Sequence, residues 1–406
     1  MTFFEELKWR GLIKDISSPE LEEKLNKGGL TFYIGTDPTA DSMHLGHLSS
    51  FLISVRLKKA GHNPILLVGG ATGRIGDPRP TAEREMKSIL EIEKNIDGLS
   101  KQAKDLFGFK VVNNYDWSKD INFIDFLRDY GKFFNINYML DKDIIRRRLE
   151  TGITYTEFSY MIMQALDFLH LYETENCVLQ VAGSDQWGNI TAGIDLVRKK
   201  TGSEVYGFTM PLVTDKSGNK FGKSEGNALW LDKNKTSAYK LYQYLINVED
   251  EKVIDYLKVF TFLTKEEILE YEKLNNERPE LREAHKVLAR EIITFLHGEE
   301  EYEKAVKLSS VLFTEEFSGI DANDIKEIFE GNDIVDINSN NLLDLLIEVK
   351  AASSKREARE FVNNGAIKIN GQKINDLNYI VLDKDFIGDY IIIKRGKKNY
   401  YVGKRS

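Results

Sequence analysis

The chain of 406 residues has one cysteine, Cys177, which excludes an internal disulfide and any zinc site built from several cysteines. Its six histidines are not spaced as a zinc site either, so no structural metal is expected. No uninterrupted apolar run is long enough to cross a bilayer. The opening Met1-Thr2-Phe3-Phe4-Glu5-Glu6-Leu7 lacks the basic region and apolar core of a secretory signal, and a cytosolic protein is expected. Internal repeats, low-complexity tracts and a heptad seam are also missing, which excludes solenoids and coiled coils. What remains is an ordinary globular composition, 42% hydrophobic and 30% charged, on a chain long enough for two or three domains.

The net charge of -8 argues against a polyanionic partner only on average. Residues 351–406 hold twelve Lys and Arg against six Asp and Glu, a balance of +6 that leaves -14 for the rest. A basic tail on an acidic body points to localised polyanion contact.

Thr31 to Ile34 reads as a short buried strand, followed by a turn-rich stretch and a helix through Phe51, Val55 and Leu57 that Gly61 stops. Pro64 to Val68 is the next strand and opens into the glycine-rich Gly69-Gly70-Ala71-Thr72-Gly73. Further strands fit Lys110 to Val112 and Val178 to Val181, with a helix from about Gly188 to Lys200. This alternation predicts a parallel α/β sheet over residues 1–236. Helical periodicity, with Val253, Tyr256, Leu257 and Phe260 on one face and a capping box at Thr264 and Glu267, predicts an all-helical domain over 237–330. The Asn- and Asp-rich stretch 331–341 reads as a linker, and 342–406 as a small α+β unit with a hairpin turn at Asn370-Gly371.

Two motifs carry chemistry. His44 and His47 stand three apart at a predicted helix start, beside backbone N–H groups without intrahelical partners, a corner suited to phosphate. Gly46 between them lets a nucleotide approach the backbone. Lys220-Phe221-Gly222-Lys223-Ser224 places two lysines on a polar loop. Taken singly, the first motif is equally an ordinary polar first turn and the second a solvated surface loop. Their co-occurrence supports phosphate chemistry at a strand-end crevice.

Tyr33 to His47, containing Gly35-Thr36-Asp37-Pro38-Thr39 and His44-Leu45-Gly46-His47, resembles the first signature of class I aminoacyl-tRNA synthetases in its tyrosyl form. Lys220 to Ser224 resembles their second signature, and Thr154 to Met161 and Gly183 to Asn189 are also family-like. The resemblance implies a Rossmann-like catalytic domain, a helical anticodon-binding domain and an S4-like RNA-binding domain. It also implies activation of L-tyrosine by ATP, transfer to tRNA(Tyr), and a homodimer, with Mg2+ carried by the ATP phosphates.

Carried over residue by residue, the resemblance gives His44, His47, Lys220, Lys223 and Ser50 to catalysis. Tyrosine would be held by Tyr33 and Asp167 at its hydroxyl, by Asp77, Tyr160 and Gln164 at its ammonium, and by Gln186 at its carboxylate. The adenylate would meet Gly35, Asp37, Thr39, Gly46, Arg84, Gly183, Asp185, Leu212, Val213 and Lys223. Lys355, Arg356, Arg359, Lys394, Arg395, Lys397 and Lys398 would contact tRNA. The sequence departs from its relatives at Ile34, where many have cysteine, and at Ser50, where threonine is common. It also lacks their lysine before Arg84, with Arg79 in the shortened stretch.

The competing readings are the tryptophanyl type, from which Tyr33, Asp167 and the basic tail separate it, a nucleotidyltransferase with another acceptor, and a non-enzymatic RNA-binding derivative.

Overall fold

The computed structural model describes residues 1–78, 86–149, 152–224, 227–397 and 399–405. It divides into two compact units: Met1–Ser237 with Tyr244–Leu296, and Ala238–Gln243 with His297–Ser406.

The first unit is built on β1 (Asp15–Ile16), β2 (Thr31–Thr36), β3 (Asn63–Val68), β4 (Lys110–Asn113), β5 (Cys177–Gly183) and β6 (Tyr206–Met210), in the order β1-β6-β5-β2-β3-β4. All neighbours from β6 to β4 pair in parallel. The expected parallel sheet gains an antiparallel edge, because β1 pairs with β6 through Asp15 with Thr209 and Ile16 with Phe208; a two-residue strand is too short to leave a period in the sequence.

Parallel strands have both faces covered, and the alternation along β2 divides two cores. Phe32 packs with Ile53, Leu57 and Phe208, whereas the next residue, Tyr33, packs with Ile65, Phe168 and Leu169. The chain runs from β2 to β3 and β4 on one side and then crosses to β5 and β6 on the other, so the strand order reverses beside β2. A crevice opens at the carboxyl ends of such strands.

Helices Leu45–Lys59, Tyr155–Glu175 and Trp187–Thr201 flank this sheet. The last ends at Gly202, in left-handed conformation with φ 75°. A two-stranded ladder, β7 (Lys223–Ser224) and β8 (Asn227–Ala228), follows β6.

In the second unit, β9 (Ile334–Ile337), β10 (Ile367–Ile369), β11 (Gln372–Lys373), β12 (Tyr390–Arg395) and β13 (Asn399–Arg405) form a sheet in the order β11-β10-β12-β13-β9. Ile391 and Ile393 face a core with Leu342, Leu346 and Val362, and the alternate residues Tyr390 and Ile392 face Leu308, Val311 and Phe329. The hairpin at Asn370-Gly371 is present, with φ of 45° and 83° at its two turn residues.

The stretch 331–341, expected as a linker, instead supplies β9, paired in parallel with β13 from Ile334 to Ile337. Its short alternation is hidden among Asn and Asp, and only the distant β13 makes it a strand. The expected helical stretch is also divided. Tyr244–Leu296 belongs to the first unit, and Ala238–Gln243 and His297 onward to the second, because Val253–Phe260 packs beside Leu45–Lys59 while Leu308 and Val311 lie under the second sheet.

The start of the Tyr155–Glu175 helix is fixed by a buried ion pair. Arg148 donates to both oxygens of Glu157 at 2.9 and 3.2 Å and also to the Gly152 carbonyl. Both side chains are buried, so removing one partner strands the other charge. Arg148→Met should therefore lower unfolding stability by roughly 3–5 kcal/mol, and adding Glu157→Leu should restore most of it, as read by urea denaturation. A single variant that matches the parent would refute this role.

Candidate active site

The two signatures meet at the crevice. His44 caps the Leu45–Lys59 helix: its Nδ1 accepts from the Gly46 N–H at 3.1 Å, while His47 Nδ1 accepts from the His44 N–H at 3.3 Å. A backbone N–H can only donate, so each neutral ring carries its proton on Nε2. The rings stack with centroids 3.8 Å apart. Burial, with His44 and the Lys220 charge adding to it, drives His47 down to about 3. His47 is thus held in its neutral form, with an N–H to donate from Nε2.

The chain after the second signature pairs with the entry to the first. Leu45 N–H donates to the Leu229 carbonyl at 2.7 Å, and Leu231 N–H to the Met43 carbonyl at 2.8 Å. A Cβ on Gly222, whose φ is 86°, would lie 2.8 Å from the Gly46 nitrogen, and one on Gly46 would lie 3.1 Å from the Phe221 carbonyl oxygen. Glycine at both positions is what lets the two signatures touch.

Beside this corner lies a buried polar network. Asp167, 2% exposed, accepts from Asn114 Nδ2 at 2.9 Å and Trp117 Nε1 at 3.0 Å. Asn114 Nδ2 also donates to Thr72 Oγ1, and Thr72 donates to Asp37 Oδ1 at 2.8 Å. The Tyr160 hydroxyl donates to Asp37 Oδ2 at 3.0 Å. Burial pushes the Asp167 carboxyl up to about 7, against the pull of its Asn114 and Trp117 bonds.

Tyr33, 1% exposed, has a hydroxyl with no hydrogen-bond partner among the described residues. Burial, and then the charge of Asp167, hold that phenol well above its ordinary value. Its partner across to β5, Gln180, likewise has a buried amide oxygen without a hydrogen-bond partner among the described residues. Buried polar atoms are rarely left so.

The other residues expected at the site divide into groups. Gln164 is half-buried between Tyr160 and Asp167 on one helix face. Gln186 donates to Asp77 Oδ2 at 2.9 Å, and Asn189 joins both. Gly35 and Thr39 are exposed at the end of β2, and Ser50 sits one turn beyond His47. Leu212 lies over Gly183, 3.2 Å from where its Cβ would be, and Asp185 follows in the next turn. Val213 accepts from the Phe221 N–H. Arg79, Arg84 and Lys398 lie outside the described residues, and Lys223 is described by its backbone in β7.

The basic tail is not one surface. Arg356, Arg359 and Lys397 are exposed, and Lys355 is exposed but paired with Asp344. Lys394 corrects the expectation of a tRNA contact: it is 8% exposed and bonds Glu315 at 2.7 Å, because its place in β12 turns it inward. Arg395 donates to the Ala351 carbonyl and lies over Phe361 and Tyr401.

Sequence reasoning missed Thr72, Asn114 and Trp117, which come from the carboxyl ends of β3 and β4. Their one legible signal was position after a predicted strand, where α/β sites gather.

Crevice, signature pair and polar network define a class I tRNA synthetase, and the comparisons agree. Residues 25–314 match the family model of class I tRNA synthetases of the tryptophan and tyrosine type, and residues 324–402 match the C-terminal domain of tyrosine–tRNA ligases. The structure of a C-terminally truncated mitochondrial tyrosyl-tRNA synthetase from Aspergillus nidulans aligns with 32% identity and a TM-score of 0.67, over 77% of this chain and 94% of that one. That from Coccidioides posadasii gives 31% and 0.67, over 76% and 91%. The Archaeoglobus fulgidus tyrosyl-tRNA synthetase, at 18% identity and 0.56 over 75% and 100%, shares the fold. The chain belongs to this class I family and, within it, to the tyrosine–tRNA ligases.

The Asp167 carboxyl should titrate near 7 by infrared difference spectroscopy of carboxyl-labelled protein. The band should vanish in Asp167→Asn and move to higher pH in Asn114→Ala, which removes a donor to the charged form. A carboxyl titrating in the ordinary aspartate range would overturn this account.

Proposed function

We propose that tyrosine and MgATP meet at the carboxyl ends of β2 and β5, and that the phenol is read by Tyr33 and Asp167. The observation that carries this reading is the Tyr33 hydroxyl, buried without a partner beside a buried carboxyl. A phenol between the two donates to Asp167 and pairs with Tyr33, whereas phenylalanine leaves both unmatched. Such a site rejects the analogue lacking the hydroxyl far better than an apolar pocket rejects a missing methylene, a rule for which the tyrosine-activating synthetases are the standing example.

Asp77, Tyr160 and Gln164 would receive the ammonium, and Gln186 the carboxylate. A tyrosine carboxylate oxygen attacks the α-phosphorus, the bond from that phosphorus to the bridging oxygen breaks, and pyrophosphate leaves with the electron pair. A hydroxyl at the tRNA 3′ end then attacks the carbonyl carbon, and AMP departs. This chemistry needs two anions oriented and charge on the phosphates stabilised. Neutral His44 and His47 would donate from Nε2, Lys220 and Lys223 would provide charge, and Ser50 a hydroxyl. Gly35, Asp37, Thr39, Gly46, Gly183, Asp185, Leu212 and Val213 would line the adenylate, with Arg84 at the phosphates.

The same proposal gives the helices after Ser237 to the anticodon arm, and Arg356, Arg359 and Lys397 to the tRNA backbone. The run from Phe123 to Tyr155 exposes Phe123, Ile124, Leu127, Ile136, Tyr138, Leu149 and Tyr155. Exposed apolar side chains in this number support a homodimer. A cytoplasmic location fits the lone free thiol, buried at Cys177.

ATP–pyrophosphate exchange tests the reading. Tyrosine should drive it, and phenylalanine and tryptophan should not; the preference for tyrosine over phenylalanine should shrink as pH falls below about 7, because protonated Asp167 no longer offers a carboxylate. Asp167→Asn should flatten that pH dependence. Exchange driven by tryptophan alone would sink the assignment.

For the tail, tRNA affinity should fall steeply with salt, and Arg356→Ala with Arg359→Ala should reduce the slope. Lys394→Ala should instead lower the unfolding midpoint of the second unit. Equal salt slopes in parent and double variant would refute the surface contact.

A further inference from the structure

The second signature loop is held from outside the nucleotide corner by a group that no part of the reaction accounts for. Phe221, between the two lysines, is 2% exposed. Its ring lies 4.5 Å from Tyr256, 4.7 Å from Phe260 and 5.4 Å from Tyr244, centroid to centroid. The Gly222 N–H, in the peptide that joins Phe221 to Gly222, donates to the Tyr244 hydroxyl at 2.9 Å. Tyr256 donates in turn to the Thr214 carbonyl at the start of the loop. Gly222 is also the residue seated against Gly46.

The cage is itself anchored. Tyr256 and Phe260 belong to the Val253–Phe260 helix. Buried Arg10 donates to the Lys258 carbonyl near its end, and buried Arg56 to the Thr261 carbonyl beyond it. Arg56 is on the same helix that His44 caps. The loop is therefore tied at one end of that helix to the phosphate corner and, through the aromatic cage, to its other end.

We infer that Tyr244 is a positioning residue for the adenylation step: its hydroxyl fixes the Phe221–Gly222 peptide and thereby sets Lys220 and Lys223 against the His44–His47 corner. Tyr244 does not reach substrate. Its bond to Gly222 acts on the backbone midway between Lys220 and Lys223, where a shift moves the chain at both positions. The inference rests on the reading of Lys220 and Lys223 as phosphate-binding groups.

Tyr244→Phe in the full chain keeps the ring and removes the hydroxyl. Adenylate formation at saturating tyrosine should fall about five- to tenfold, the rate equivalent of one neutral hydrogen bond, with the KM for ATP raised. Tyrosine affinity, measured by equilibrium dialysis without ATP, and transfer from preformed adenylate to tRNA should stay as in the parent. Phe221→Leu, which loosens the cage, should show the same split. Unchanged adenylate formation in Tyr244→Phe, or a parallel loss of tyrosine affinity, would overturn the inference while leaving the active-site reading in place. A parent chain without tyrosine-dependent exchange would remove both.

Discussion

The active site depends on one seam. Met43 to Leu45 pairs antiparallel with Leu229 to Leu231, and this pairing brings a helix start and a lysine loop, 176 residues apart in sequence between His44 and Lys220, into contact. Backbone hydrogen bonds give the seam its register, and the absence of side chains at Gly46 and Gly222 gives it its closeness. Neither signature is a site by itself. The helix start, whose Leu45, Gly46 and His47 N–H groups are all bonded, offers oriented imidazoles, the loop offers lysines, and the proposed phosphate chemistry draws on both at one point.

The histidines and lysines divide the labour by burial. Low dielectric favours the neutral form of an imidazole, so His47 is held far below neutral pH and contributes a directed N–H. Lys220, by contrast, is exposed at its loop. Four cations gathered at one corner would repel one another. On the proposed reading, two neutral imidazole donors and two lysines on a separate element avoid that cost.

The amino-acid side follows the opposite logic. Asp167 is buried where a carboxylate is unfavourable, and two donors hold it there without fully offsetting the desolvation. Tyr33 has a hydroxyl that no group among the described residues bonds. On the proposed reading a substrate phenol is the complement of both groups, so that their desolvation serves specificity. The two-faced packing of the sheet, with Phe32 in one core and Tyr33 in the other, surrounds them.

Much of this was legible in the sequence because it is written locally. Strand and helix periods, the Thr264 capping box, the Asn370-Gly371 turn and the i, i+4, i+7 spacing of Tyr160, Gln164 and Asp167 all depend on neighbours within a few residues. What tertiary structure decided is whatever depends on distant partners. β1 is a strand only beside β6, and β9 only beside β13. Lys394 reads as a surface base until Glu315 claims it. Asn114 and Trp117 acquire a role only when β4 delivers them to Asp167. The sequence determined which groups could act on a phosphate and a phenol; the fold decided which of them are neutral, which are buried and which touch, because charge state and contact are properties of an environment assembled from remote parts of the chain.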